Sequence, residues 1–550
     1  MKRRISSQAR FMLGLLPGKA DLVRARQAPL RDLAAGLTVA IVALPLALAF
    51  GAASGLGAQA GITTAVIAGI LAAVFGGSNV QISGPTGAMT VVLIPVVAQF
   101  GAAGLLQVGI MAGVILVLLA MSRLGRYVRY LPMPLVEGFT AGIAVVIALQ
   151  QVPNMLGVTA GEQPQLWAVA ADAVVQWVAD PNPVPPLIAL GVAAVILIGA
   201  RWKPSIPMSL GAIAAATGLT VWLDLDLAVI GALPGGIPAP QADFFDPGLI
   251  AALLPSAAAI AALAALESLL SATVADGMTI GEHHNPDREL FGQGIANLAV
   301  PFFGGVPATA AIARTAVNVR SGARSRLAAV SHSVVLLAFM MVAAPLVGVV
   351  PMAALGGVLL ATTIQMVQVA SIRSILTATR SDAVVLVLTF LVTVAIDLVT
   401  AVVIGLIVAA LLALQSMSRA AQLEPVALEQ NSEGESRLEH GIIAFRLDGP
   451  LFFGAAHRFL LELTQVTDVS VVILRMSRVS TIDATGASVL DDAITRLERQ
   501  GIVVLLSGIR PHHRQVLTAL GALNRLSASG RVFSETPDAI AFAQELTARE

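Results

Sequence analysis

The chain has 550 residues, of which 57% are hydrophobic and 12% charged, with a mean hydropathy of +0.85; this excludes a soluble multidomain protein and points to a chain that crosses a membrane many times. Basic and acidic residues balance at 33 each, so net charge singles out no partner, and nucleic acid is not expected. Cysteine is absent, which excludes disulfides, thiolate metal sites and cysteine nucleophiles.

Residues 1–32 are basic and too polar for a cleavable signal, so they are expected to stay cytoplasmic. Apolar stretches near the length needed to cross a bilayer follow at 33–50, 61–77, 104–122, 133–151, 186–200, 205–222, 249–275, 327–346, 351–369, 381–396 and 398–416. Shorter ones lie at 86–99, 289–302 and 308–318. Counted as partial spans, these bring the total to about fourteen. Arginine and lysine test the count. None occurs between Asp32 and Ser122; Arg123, Arg126 and Arg129 then cluster, followed by Arg201 and Lys203, Arg288, Arg320, Arg324 and Arg326, Arg373 and Arg380, and Arg419. Each group follows an even-numbered span, while the alternate loops carry only acids such as Glu162, Asp172, Asp224 and Asp243. That is the positive-inside pattern for a chain with both ends cytoplasmic.

Two short spans are interrupted. Residues 81–90 read Gln-Ile-Ser-Gly-Pro-Thr-Gly-Ala-Met-Thr, and residues 304–315 read Gly-Gly-Val-Pro-Ala-Thr-Ala-Ala-Ile-Ala-Arg-Thr. Broken backbone persists at membrane depth only where protein or a wet cavity satisfies it, and a matched pair, one per half, marks the binding site of a secondary transporter. They occupy the third and tenth spans. An odd number of spans per repeat turns the second copy upside down, so two half-helix starts meet near the midplane and present their positive ends to an anion.

Arg314 lies in the second interrupted segment. A guanidinium at that depth costs at least about 2.5–3.5 kcal/mol and needs an anion, a carboxylate or water beside it; a permanent structural pair and a side chain reaching the interface are the alternatives. Glu267 sits in the middle of span 249–275, with Ser271 one turn later on the same face. It is a candidate to hold a coupled ion with Ser271, to carry a coupled proton, or to neutralise Arg314. His283 and His284 are expected in a solvated loop rather than at a metal, His332 in helix packing or with its polar end at the interface, with a proton relay as the alternative, and Asp397 at a solvated extracellular turn. No nucleophile with a base, metal cluster or phosphate-binding loop is present, so neither an enzyme nor a bound cofactor or metal is expected.

Composition changes after Arg419. Residues 419–440 read as a polar linker, and 441–550 as a small α/β domain with strands at 442–447, 470–475 and 502–506 and helices near 455–466, 484–499 and 511–521.

Several runs carry a family resemblance. Gly36-Leu37-Thr38-Val39-Ala40 with Ala43-Leu44-Pro45-Leu46-Ala47-Leu48-Ala49-Phe50, residues 81–90, Glu289-Leu290-Phe291-Gly292-Gln293-Gly294-Ile295-Ala296-Asn297, and residues 304–318 occur in the order of the sulfate permease (SulP) family of anion transporters, which this chain resembles over nearly its whole length. The resemblance implies an α-helical polytopic membrane domain at 33–418, built as a seven-plus-seven inverted repeat with core and gate domains. It further implies elevator-type alternating access, a homodimer in a bacterial cytoplasmic membrane, and a C-terminal STAS domain at 441–550. The anion would lie among Phe50, Pro85, Thr86, Gly87, Ala88, Ala311, Ile312, Ala313 and Arg314, and the coupling proton or sodium at Glu267, Ser271 and Ala310. Two positions depart from the pattern: Leu46 stands where many sulfate-type members carry glutamine, and Ile312 where sodium-driven relatives carry a threonine ligand. The Leu-Pro-Leu-Ala-Leu-Ala-Phe run is closer to the bicarbonate-transporting bacterial branch. In the STAS-like part Ser480-Thr481-Ile482-Asp483-Ala484-Thr485-Gly486 matches the family's strand-to-helix loop, with Thr485 either a phosphorylation site for a cytoplasmic regulator or simply the helix cap. The expected activity is secondary transport or exchange of bicarbonate, sulfate or a dicarboxylate; a nucleobase-type permease of the same architecture, and a membrane-embedded STAS sensor or scaffold, are the alternatives.

Overall fold

A computed structural model of the protein describes residues 11–12, 14–126, 132–159, 161, 165–202, 208–233, 235–279, 281, 283–420, 422–426, 441–452 and 469–548. The chain divides into two compact units, Met1–Leu406 and Ile407–Glu550.

The first unit is helical. Its elements are α1 (Lys19–Ala25), α2 (Pro29–Ala53), α3 (Ala58–Phe75), β1 (Ser83–Gly84), α4 (Gly87–Met121), α5 (Met133–Leu156), α6 (Leu166–Ala179), α7 (Val184–Trp202) and α8 (Met208–Trp222). There follow α9 (Ile250–Met278), α10 (Pro286–Ala299), β2 (Thr309–Ala310), α11 (Ile312–Arg320), α12 (Leu327–Val342), α13 (Ala344–Gly348), α14 (Met352–Met366), α15 (Val369–Ala378), α16 (Arg380–Ala395) and α17 (Leu398–Ala420), whose end passes the unit boundary. Among the described residues eight helical runs are long and apolar enough to cross a membrane, and α6, α8 and α12 are shorter apolar helices. Gly101, with φ 67° and ψ −169°, breaks α4, between the expected segments 86–99 and 104–122. The expected span 308–318 begins extended: the two-residue β2 precedes the nine-residue α11. Neither α6 nor α15 corresponds to an expected span.

Packing sorts the helices into two interleaved sets. In one, α4 lies against α9 and α10, α10 against α3, α12 against α2 and α3, and α9 against α11. In the other, α5 lies against α14 and α16, and α14 against α7. Each set thus draws helices from both halves of the chain. Close approach within the first set relies on missing side chains: a Cβ on Gly36 of α2 would stand 2.5 Å from the carbonyl oxygen of Ala328 in α12. Asp32, fully buried in the first turn of α2, fastens the same contact. Its Oδ1 accepts from the backbone N–H groups of Arg324 (2.7 Å) and Ser325 (3.2 Å), and the Ser325 hydroxyl donates to Oδ2.

The second unit carries a five-stranded sheet in the order β3 (Gln422–Val426), β4 (Ile442–Leu451), β5 (Val471–Ile482), β6 (Val503–Ser507) and β7 (Val532–Phe533), antiparallel between β3 and β4 and parallel beyond. Ile442 pairs with Val471 and Val471 with Val503. The helices are α18 (Ala484–Arg499), α19 (Pro511–Ala519), α20 (Ala522–Ala528) and α21 (Thr536–Thr547). Leu490, Ala493, Ile494 and Leu497 give α18 one apolar stripe, buried with Val472, Leu474 and Leu506, while Ala539 and Ala543 of α21 pack with Val471, Ile473 and Leu505. The expected linker 419–440 is corrected at 422–426, where β3 adds an edge strand; Pro425 is tolerated there because an edge leaves one side unpaired. Strands β4 and β5 run further than expected. The expected helix near 455–466 lies outside the described residues.

Asp32→Ala is expected to strand the two N–H groups at 324–325 and cost about 3 kcal/mol, read as a lower Tm of the detergent-solubilised protein. An unchanged Tm would show that this turn finds other acceptors.

Candidate functional site

Backbone at 81–86 and 304–311 leaves the helical ladder, so each free N–H and C=O there needs another partner. Part of the solution is mutual. Ser83 pairs with Ala310 and Gly84 with Thr309 in an antiparallel register, and Ala311 N–H donates to Ile82 O at 3.0 Å. The chain therefore leaves the pair at opposite ends, into α4 on one side and α11 on the other.

Polar side chains on neighbouring helices complete the ladder. From α9, Ser268 Oγ lies 2.9 Å from Thr309 Oγ1 and accepts from Ala310 N–H, while its carbonyl accepts from Gln81 Nε2 at 2.7 Å. From α10, Asn297 makes an amide pair with Ala308, 2.8 Å in each direction, and Gln293 donates to Ser83 Oγ. Thr64 of α3 accepts from Val306 N–H at 2.7 Å. None of Ser268, Gln293, Asn297 and Thr64 was singled out from sequence; Gln293 and Asn297, four residues apart and so on one helical face, carried a readable signal.

The first turns of α4 and α11 are treated differently. Thr86 is the N-cap residue of α4 but makes no cap bond, because its hydroxyl donates to Glu267 Oε2 at 2.9 Å. Ala311 caps α11 and has no side-chain oxygen to offer. Both helices thus begin without a side-chain acceptor for their leading N–H groups, the arrangement that favours an external anion.

Arg314, in the first turn of α11, is 1% exposed. Its Nη2 donates to Pro85 O at 2.7 Å, and Nη1 is buried without a hydrogen-bond partner. A Cβ on Gly84 would stand 2.6 Å from that Nη1, so glycine makes room for the guanidinium. Glu267 and Arg314 attract each other electrostatically while each binds a different member of the Pro85–Thr86 pair. Phe50 of α2 packs on the start of α4, where a Cβ on Gly87 would lie 3.0 Å from its ring. Ala88 is buried, Ala311 half-buried, and Ile312 and Ala313 are exposed at the head of α11.

Phe50, Pro85, Thr86, Gly87, Glu267 and Arg314 are thus gathered around the two helix starts. Ser271 is engaged elsewhere: its hydroxyl donates to Thr315 Oγ1 at 3.1 Å, which accepts in turn from Ile82 N–H. Ala310 contributes backbone to the β1–β2 pair. Two side readings are corrected and the third, His332, is narrowed to helix packing. His332 is fully buried, so its polar end does not reach the interface. His284 Nδ1 lies 2.7 Å from Asp276 Oδ2, and only His283 is solvated. The cap of α18 is Asp483, whose Oδ1 accepts from Gly486 N–H at 2.7 Å, and Thr485 beside it is exposed. Asp397 is exposed and accepts from Thr400 N–H at the head of α17.

Comparison with known proteins gives a consistent result. Residues 30–389 match the model of the sulfate permease family and residues 435–539 that of the STAS domain. A Bacillus subtilis (strain 168) protein, YvdB, provisionally named as a sulfate transporter, is 36% identical over 504 residues, covering 90% of this chain and 94% of its own. The bicarbonate transporter BicA of Synechocystis (strain PCC 6803) is 32% identical over 500 residues, covering 87% and 88%. Among solved structures, that of the murine anion transporter Slc26a9 in its inward-facing state superposes with a TM-score of 0.87 at 18% identity, covering 99% of this chain and 96% of that one, which shows a common fold.

Gly84→Ala is expected to push the guanidinium off Pro85 O and to cost about 1–3 kcal/mol of stability, measured as a fall in Tm. A Gly84→Ala protein as stable as the parent would mean that Arg314 is not held where the geometry places it.

Proposed function

The chain belongs to the sulfate permease family, and from that premise we propose that it is a secondary transporter of a small anion, such as bicarbonate, sulfate or a dicarboxylate, bound between the starts of α4 and α11. One observation carries this reading: the unpartnered Nη1 of Arg314 lies beside two helix starts that lack side-chain caps. Together they supply one full positive charge and about half a charge per helix end, with the N–H donors that an oxyanion or carboxylate requires.

Splitting α4 at Gly101 and counting α11 as a partial span keeps the expectation of fourteen spans in two inverted sevens. The two packing sets correspond to core and gate, and sliding the first set along the second is the alternating-access movement we favour. A homodimer in the bacterial cytoplasmic membrane, with both chain ends cytoplasmic, completes the reading. The STAS domain is assigned a regulatory role, with exposed Thr485 as its candidate phosphorylation site.

Electrostatics favours a proton as the coupled ion. The empty site holds Arg314 and Glu267, which cancel. A monovalent anion such as bicarbonate on Arg314 alone leaves one uncompensated negative charge in the moving set, and a proton on Glu267 alone leaves one positive charge; each costs at least about 2.5–3.5 kcal/mol at membrane depth. With a monovalent anion such as bicarbonate and the proton both loaded the site is neutral again, whereas sulfate or a dicarboxylate dianion would leave one negative charge. Sodium would need several oxygen ligands, but Ser271 is committed to Thr315 and Ile312 offers none.

The test is uptake of labelled bicarbonate, sulfate and fumarate into proteoliposomes under imposed proton or sodium gradients. Uptake of one of them is expected to rise several-fold with a proton gradient and not to respond to sodium; Glu267→Gln is expected to remove the proton response while anion counterflow survives. Sodium-driven uptake would overturn the coupling. Uptake of nucleobases in place of anions, or no transport at all, would replace the function with a permease or a scaffold respectively.

A further inference from the structure

The helix of the second packing set that meets the start of α4 is α5. Phe139, Ile143 and Ile147 recur on it at four-residue spacing and share one buried apolar cluster with Phe50 of α2 and with Met89 and Leu93 of α4. Contact at the site itself is close. A Cβ on Gly87, the first residue of α4, would stand 2.2 Å from Ile147 Cδ1 and 3.0 Å from the Phe50 ring. The start of α4 is therefore covered from the α5 side by an isoleucine.

One turn further along α5 the same stripe becomes polar. Gln150, Gln151 and Asn154 continue it at spacings that keep residues on one helical face. Gln151 and Asn154 engage each other, Asn154 Nδ2 donating to Gln151 Oε1 at 3.1 Å. Gln150 differs: its Nε2 and its Oε1 are both buried without a hydrogen-bond partner. A buried amide with neither end paired is unfavourable, and leucine would fill similar space without that cost. Packing alone gives no reason for glutamine at this position.

We propose that Gln150 is the anion's contact on the second set: when the first set slides one turn along α5, the Gln150 amide replaces Ile147 over the start of α4 and donates to the anion held there. The inference rests on the transport reading and its sliding movement. Three residues of helix rise about 4.5 Å, and packed helices shift by turns because their side chains interdigitate. Ile147 then keeps the site dry in one position, and in the other Gln150 offers N–H donors to an anion that has lost water. Gln150 lies toward the C-terminal end of α5, the extracellular end in the proposed orientation, so the amide serves the outward position.

Gln150→Leu, close to glutamine in volume, is compared with wild type in proteoliposome uptake and in thermal denaturation. The KM of the transported anion is expected to rise about tenfold, the scale of one charge-assisted hydrogen bond, while Tm stays level or rises because an unpaired buried amide has gone. A glutamine kept for packing would give the reverse. The chain has no cysteine, so Gln150→Cys adds a single thiol; its reaction with a methanethiosulfonate in proteoliposomes is expected to slow several-fold when the transported anion is saturating. A KM equal to wild type, a Tm lowered by several degrees in Gln150→Leu, or a thiol at 150 that does not react or is not protected overturns the proposal. Wild-type transport with any of these results leaves the transport reading standing, whereas wild-type protein that moves no anion removes that reading and this inference together.

Discussion

The β1–β2 pair at the centre of the membrane unit is only two residues per strand, yet the rest of the site depends on it. A chain that stops being helical at membrane depth exposes backbone groups that lipid cannot satisfy. Here two such interruptions satisfy each other, and α3, α9 and α10 contribute Thr64, Ser268, Gln293 and Asn297 to the remaining groups. Because the pair is antiparallel, it sends α4 and α11 away at opposite ends and leaves both helix starts side by side. Arg314 then crosses from one interrupted segment to the carbonyl of Pro85 in the other, so the residue proposed to hold the anion also ties the two halves together.

That double duty explains why Thr86 leaves its own helix uncapped. Its hydroxyl has one proton, and donating it to Glu267 links the acid on α9 to the first turn of α4. The guanidinium of Arg314 and the acid thus meet on adjacent residues of one loop, Pro85 and Thr86. In the proposed function, loading one without the other would leave charge uncompensated, and coupling would follow from the cost of moving net charge through a membrane.

Much of this was legible in the sequence, for physical reasons that differ from residue to residue. Glycine, proline and hydroxyls inside an apolar run have few explanations other than broken backbone, and a lone arginine at depth must be compensated, so both interrupted segments and Arg314 stood out. Ser271 shows the limit. Helical spacing puts it on the face of Glu267, but spacing says nothing of what the opposing element offers, and its hydroxyl is taken by Thr315. Asp483 displaced Thr485 as a cap by a shift of two residues, within the ordinary uncertainty of a helix start. Strand β3 was hidden because Gln-Leu-Glu-Pro-Val lacks alternation and pairs through its backbone. A charge link between Asp21 of α1 and Arg288 joins residues 267 apart in sequence, which no local pattern reveals.

The central claim is that the guanidinium of Arg314, fixed by Pro85 and open at Nη1, is what holds the anion. Equilibrium binding of labelled bicarbonate and sulfate to purified wild-type and Arg314→Ala protein tests it most directly, with a matched thermal denaturation to establish that both are folded. The account predicts at least about a tenfold loss of affinity, the scale of one charge-assisted hydrogen bond, in a variant that still unfolds cooperatively. Equal affinity in a folded Arg314→Ala protein would contradict it.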